Sequence, residues 1–309
     1  MRRIAIALVL IITVLFITTG CGKNASDNAI IQEDKGKLKI FTSFYPMYFI
    51  TEQIAQDKAE IINMIPAGVE PHDWEPTLKM MAQLQESDIF IYNGAGMETW
   101  TESVIKNMDA SRTEIVEASK GIELIRGEED EDDDHGDYDP HVWVSPMNLK
   151  KQALNVLNAL IEKDSSNEEY YRANYDKLAA RLDELDNDIR EAVKGFKTNI
   201  IITSHEAFGY FAKEYGLKQI PIRGISPQQE VSTKKLGEIV EICRENNIRY
   251  IFAEKFVNPN YSKTIANEIG GEVLTLNAAH GLTKEEMDSG VDYITIMYEN
   301  LENLKKALQ

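Results

Sequence analysis

Asn199-Ile200-Ile201-Ile202-Thr203-Ser204-His205 restates, more than 150 residues later, the pattern of Leu38-Lys39-Ile40-Phe41-Thr42-Ser43-Phe44. Each is a short β-branched, apolar run ending in Thr-Ser, which reads as a buried strand. Each is followed by an aromatic-rich helical stretch, Tyr48-Phe49 in one case and Tyr210-Phe211 in the other. Further pairs line up behind them. Arg249-Tyr-Ile-Phe-Ala-Glu254 answers Asp88-Ile-Phe-Ile-Tyr92, and Ser226 to Leu236 occupies the place of Glu70 to Leu78. Strands alternating with helices at this pace imply parallel sheets with crossover helices. The chain is therefore expected to be α/β, with two similar (β/α) lobes.

Between the two halves runs the longest helical pattern, Ser166 to Gly195. Tyr171, Tyr175, Leu178, Leu182, Leu185, Ile189 and Val193 step by three and four, one face of a helix. About 30 residues at 1.5 Å rise give a rod of roughly 45 Å, long enough to cross a domain face. Ser166 with Glu169 has the form of a capping box. The expected organisation is a first lobe over 38–165, a bridging helix over 166–196 and a second lobe over 197–309. Within the first lobe a helix is expected near Met47 to Gln56 and a strand over Ile61–Ile65. Thr77 should cap a helix whose apolar face is Leu78, Met81 and Leu84.

The N-terminus is not part of this fold. Arg2-Arg3 precede an apolar run from Ile4 to Ile17 that ends Thr18-Thr19-Gly20-Cys21. A basic start, a short apolar run and a small residue describe an export signal over 1–20. Cysteine directly after the cleavage point resembles a bacterial lipoprotein box, which implies a lipid on Cys21 and a protein held at the outer face of the cell membrane. Thr18 stands where such boxes usually carry leucine. Residues 21–37 are polar and aperiodic, suited to a tether. Only Cys243 remains besides Cys21, so an intrachain disulfide is excluded; Cys243 falls on the apolar side of the helical pattern Leu236-Ile239-Val240 and reads as a core residue.

A formal charge of −18 over 309 residues argues against nucleic acid, which requires a basic footprint. Seven consecutive acids, Glu128 to Asp134, repel one another and read as a solvated loop that either gathers cations weakly or keeps the surface soluble. Asn93-Gly94-Ala95-Gly96 lacks the third glycine and the lysine of a phosphate cradle and reads as a tight turn.

The chain has five histidines, and four share a context. His72 stands in Pro71-His72-Asp73-Trp74 and His141 in Pro140-His141-Val142-Trp143, an internal echo in which proline stiffens the backbone before each imidazole. His205 directly follows a strand, and His280 follows the strand-like Glu272–Leu276. In parallel sheets ligands bind beyond the carboxyl ends of the strands. The four are separated by 69, 64 and 75 residues, which excludes a local zinc finger and fits a site assembled between lobes. Imidazole favours zinc, copper or nickel over calcium and magnesium. Four neutral imidazoles would close a tetrahedral shell, leaving no position for an activated water. A single such histidine is more often a hydrogen-bonded structural imidazole; the shared context is what points to a ligand set. His135, in the acidic run, stands apart.

With these motifs the chain resembles the substrate-binding lipoproteins of zinc and manganese ABC importers. Its marks are Pro71 to Thr77, Tyr92 to Gly96, Asp139 to Trp143, Thr203 to Phe208, Gly224 to Glu230 and Leu276 to Leu282, and the resemblance covers essentially everything after the tether. The resemblance implies two lobes bridged by one long helix, a metal in the cleft, delivery to a membrane permease, and no enzymatic activity. His72, His141 and His205 match family ligands residue by residue; manganese members resemble a glutamate at the position of His205, so zinc is expected, with a manganese or broader carrier as the alternative. The fourth ligand of the family is usually a carboxylate. Here Asn277-Ala-Ala-His280 replaces that segment, so His280 is expected to bind, with Glu272, Glu254 or Asp288 as other choices. A monomer is expected. The reading of a different class is a zinc hydrolase with Glu206 as base, which would need an open coordination position.

Overall fold

The computed structural model describes residues 36–127 and 138–309. The export signal, Cys21, most of the tether, the acids Glu128 to Asp134 and His135 lie outside the described residues.

Two four-stranded parallel sheets are present. The first contains β1 (Leu38–Thr42), β2 (Ala59–Asn63), β3 (Ile89–Tyr92) and β4 (Glu114–Glu117), in the order β2-β1-β3-β4. The second contains β5 (Ile200–Thr203), β6 (Lys218–Pro221), β7 (Tyr250–Ala253) and β8 (Glu272–Thr275), in the order β6-β5-β7-β8. The two orders are the same once renumbered, as the repeated strand motif requires. β1 pairs in register from Leu38↔Ala59 to Thr42↔Asn63 on one side and from Ile40↔Ile89 to Thr42↔Ile91 on the other. β2 begins two residues earlier than the apolar run suggests, at Ala59, and ends before Met64 and Ile65, which turn into the loop carrying His72.

The helices of the first lobe are α1 (Tyr45–Ala55), α2 (Leu78–Leu84), α3 (Thr101–Ile105) and α4 (Pro146–Lys163), followed by the long α5 (Glu168–Val193). The second lobe adds α6 (Gly209–Tyr215), α7 (Thr233–Glu245), α8 (Asn260–Ile269), α9 (Lys284–Ser289) and α10 (Tyr293–Leu308). Strand alternation sorts side chains between layers. Ile40 and Ile201 face a core shared by α1, α4, α5 and α10, whereas Phe41 and Ile202 face smaller clusters on the outer side of each sheet. Tyr171, Leu178, Leu182, Leu185 and Ile189 of α5 are buried in the shared core together with Leu157 of α4 and Leu301 of α10. The bridging helix is thus packed along its length rather than hung between lobes.

Three expectations need correction. The capping box at Ser166 does not form: Ser165–Asn167 make a short 3-10 turn, the Ser166 hydroxyl donates to Asp164 Oδ1 at 2.6 Å, and Asn167 at the helix start makes no side-chain cap. Asp164, two residues earlier, takes the hydroxyl instead. The helix is accordingly 26 residues, about 39 Å at 1.5 Å rise. Third, Leu78 is 83% exposed although Leu84 is buried; Leu84 is the buried residue of this seven-residue helix. Thr77 does cap it, its hydroxyl accepting from Met80 N at 3.3 Å.

Candidate metal centre

Every histidine of the expected set lies in a loop beyond the carboxyl end of a strand. His72 is carried by the loop between β2 and α2. Its backbone N–H reaches Glu70 Oε1 at 3.4 Å, Trp74 N closes a turn onto Pro71 O at 3.3 Å, and the Trp74 ring packs edge-on against Trp100. His141 precedes a single 3-10 turn, Val142–Val144. Asp139 Oδ1 accepts both the His141 backbone N–H at 2.9 Å and its Nδ1 at 2.8 Å. From behind, Asn93 Nδ2 donates to Pro140 O at 3.0 Å, and Gln152 Nε2 of α4 donates to Asn93 Oδ1 at 2.8 Å. His205 directly follows β5; Gln219 Nε2 holds its carbonyl at 2.9 Å and Glu254 Oε1 meets its Nδ1 at 2.5 Å.

The three imidazoles converge. Their ligand atoms all lie within 4.8 Å of one another. Nε2 of His141 is 3.0 Å from Nε2 of His72 and 3.3 Å from Nε2 of His205. A tetrahedral zinc with Zn–N bonds near 2.0–2.1 Å separates its ligands by about 3.3 Å, so the spacing is that of a metal shell. All three rings are buried. A carboxylate can only accept, so the one beside Nδ1 in His141 and in His205 keeps the proton there and leaves the Nε2 lone pair facing the centre. Burial pushes the Asp139 carboxyl up to about 7, against the lowering pull of the His141 amide and of His205.

His280 does not join this group. It is buried, and its Nε2 lies 3.2 Å from Glu70 Oε2. Burial opposes ionisation of Glu70, but His280 first, then His72 and His205, hold its carboxyl well below the usual range. Burial likewise opposes protonation of His280, and Glu70 outweighs it, so the His280 pKa is raised. Glu70 therefore stands between His280, which its Oε2 meets, and His72, whose backbone N–H its Oε1 accepts. Of the other carboxylates considered, Glu254 stands behind His205 as its orienting partner. Glu272 and Asp288 are exposed, Glu272 being paired with Lys306.

Glu70 and Asp139 were not singled out from the sequence as parts of the site. A signal exists: Glu70-Pro71-His72 and Asp139-Pro140-His141 share an acid two residues before the imidazole. The glycine turn after β3 also has a specific role. The Asn93 and Gly94 amides, at 2.8 and 3.1 Å, and the Ser43 hydroxyl, at 2.6 Å, converge on Glu98. The turn cradles its own carboxylate, not a phosphate, and burial raises that carboxyl to about 7.

The lobes are stitched close to the centre. Trp143 Nε1 donates to Ala278 O at 2.7 Å, Tyr293 Oη to Trp143 O at 2.8 Å, and Gly68 N to Leu282 O at 2.9 Å.

The family described as zinc-uptake complex component A, periplasmic, matches residues 40–307. The high-affinity zinc uptake system protein ZnuA of Bacillus subtilis is 42% identical over 300 residues, 94% of each chain. The zinc-binding lipoprotein AdcA of Streptococcus pneumoniae is 35% identical over 280 residues; the match takes in 88% of this chain but 56% of that longer protein. The Zn(II)-bound ZnuA-like domain of pneumococcal AdcA superposes with a TM-score of 0.78 at 34% identity, over 88% of this chain and 99% of that one. A family match running from β1 to α10, over two like sheets and a buried histidine triad, places the chain: it belongs to the zinc-uptake complex component A family.

Proposed function

We propose that this chain captures Zn2+ outside the cytoplasmic membrane and hands it to an ABC-type importer. The observation that carries the reading is the set of three buried Nε2 atoms, two of whose separations, 3.0 and 3.3 Å, match the edge of a tetrahedral zinc shell. His72, His141 and His205 are the core ligands, and the Glu70–His280 pair closes the fourth side. An imidazole-rich set prefers zinc to the oxygen-seeking ions, and the relatives named for zinc support the same cargo. The family is the solute-binding part of zinc transport and not an enzyme, so the hydrolase with Glu206 as base is set aside. Burial of all three rings agrees with a closed site.

The chain is held at the membrane by a lipid on Cys21. Support comes from the basic and apolar leader ending at Gly20-Cys21 and from the printed name of the pneumococcal relative, a lipoprotein. The permease partner is supported by the family's description as one component of an uptake complex.

Titration of the metal-free soluble domain with zinc against a competing chelator tests the reading. One tight site is expected, lost in His72→Ala and in His205→Ala. Tighter manganese than zinc binding at neutral pH would sink the zinc assignment.

A further inference from the structure

The three histidines are 0–5% exposed, so a zinc ion cannot reach them from solvent without a route. One such route is built beside them. A cavity of about 310 Å3 lies between the start of α1, the loop after β2 and the loop after β8, lined among others by Tyr45, Tyr48, Asn63, Ala67, Met287 and His280. Its walls come from both lobes and are joined by the Gly68 N to Leu282 O bond at 2.9 Å.

The size suits a hydrated cation, and Tyr45, Tyr48, Asn63 and His280 bring polar groups to a lining that is otherwise apolar. A water takes about 30 Å3 of liquid, so the cavity admits a divalent ion with its inner water shell still on. At its inner end stands His280, 3% exposed, whose Nε2 faces Glu70 and whose Nδ1 has no hydrogen-bond partner. A buried ring nitrogen without a hydrogen-bond partner is uncommon unless something else uses it. Beyond it, Glu70 Oε2 lies 3.2 Å from His280 Nε2, and Glu70 Oε1 accepts the His72 backbone N–H at 3.4 Å. Cavity, His280, Glu70 and the triad therefore form a series of ligand groups leading inward. Each step offers the ion a ligand before the next bound water must leave.

Resting on the zinc reading above, we infer that this cavity is the passage by which Zn2+ enters and leaves the centre, with His280 and Glu70 as its inner threshold. A passage has a kinetic signature that a ligand lacks. Narrowing it slows entry and exit by the same factor and leaves the equilibrium constant unchanged.

The experiment places a plug at Ala67, which lines the cavity and is exposed, and a control of equal bulk at the exposed Asp73, which does not line it. Zinc uptake by metal-free protein and zinc release to a chelator are followed by stopped flow for wild type, Ala67→Trp and Asp73→Trp. Expected for Ala67→Trp is a slowing of both rates by about tenfold with Kd unchanged, and for Asp73→Trp wild-type rates. Wild-type rates in Ala67→Trp, equal slowing by both variants, or a weaker Kd with unchanged uptake would overturn the passage while leaving zinc capture intact. A wild-type protein that takes up no zinc would overturn both.

Discussion

Glu254 Oε1 lies 2.5 Å from His205 Nδ1, and the same oxygen accepts the Ser204 hydroxyl at 2.5 Å. One carboxylate at the end of β7 thus fixes both residues that follow β5. It decides which nitrogen of His205 is left for a metal. Removing its charge while keeping its shape should disturb the ligand without unfolding the lobe. For Glu254→Gln we expect zinc affinity to fall by about 10–100-fold, measured by chelator competition, with a nearly unchanged circular dichroism spectrum. An unchanged affinity would mean that His205 is oriented by its backbone alone.

His141 is held one step further out. Asn93 bonds Pro140 O, and Gln152 bonds Asn93, all of them buried. Asn93→Ala leaves the buried Gln152 amide unmatched, which costs about 1–3 kcal/mol, and removes one of the two donors to Pro140 O, which still accepts from Val142 N at 2.8 Å. Denaturant unfolding should show a loss of that order. Zinc competition should show a weaker site, since the segment bearing His141 is no longer pinned to β3.

Glu98 gives a pH prediction whose sign is fixed. Its carboxyl is raised from about 4.5 in the unfolded chain to about 7 in the fold. The folded state therefore binds the proton more tightly. The associated stability is fully present below the unfolded pKa and is lost as pH rises through about 7. The shift corresponds to roughly 3–4 kcal/mol at most. Metal-free protein should show a lower denaturant midpoint at pH 8 than at pH 5 from this group, and Glu98→Gln should lose most of that difference. A variant with the same pH slope as wild type would contradict the assignment.

Leu182 of α5 is fully buried in the core shared by both sheets. Leu182→Ala should cost about 2–5 kcal/mol. Because the core is shared, the loss should appear as one cooperative transition by both fluorescence and circular dichroism. Two separated transitions would mean that the lobes unfold independently.

The same shared core, with the Trp143 to Ala278 and Gly68 to Leu282 bonds, resists large rotation of one lobe on the other. Scattering curves of metal-free and zinc-loaded protein should differ little. A domain rotation like that of hinged sugar-binding proteins would contradict the packing described.

Much of this was legible in the chain. The repeated Ile-rich strands ending in Thr-Ser gave two sheets, and those sheets have the same strand order. His72, His141 and His205 could be picked out because proline or a strand end fixes each backbone. What escaped the sequence reading depends on contacts between distant segments. α4 was not read, although Ser145-Pro146 is a start signal whose Ser145 hydroxyl accepts from Asn148 N and Leu149, Ala153, Val156 and Leu160 form its face. The place of His280 was expected from its loop alone. Its approach to Glu70, 210 residues away in the chain, is set by how the lobes dock.

None of the site residues His72, His141, His205, His280, Glu70, Asp139 or Glu254 belongs to α1, α4, α5 or α10, the helices that share the main core. Recognition and framework are therefore separable. Replacing the loops after β2, β4, β5, β7 and β8 could retune which ion is held, while the buried frame that sets their spacing stays as it is.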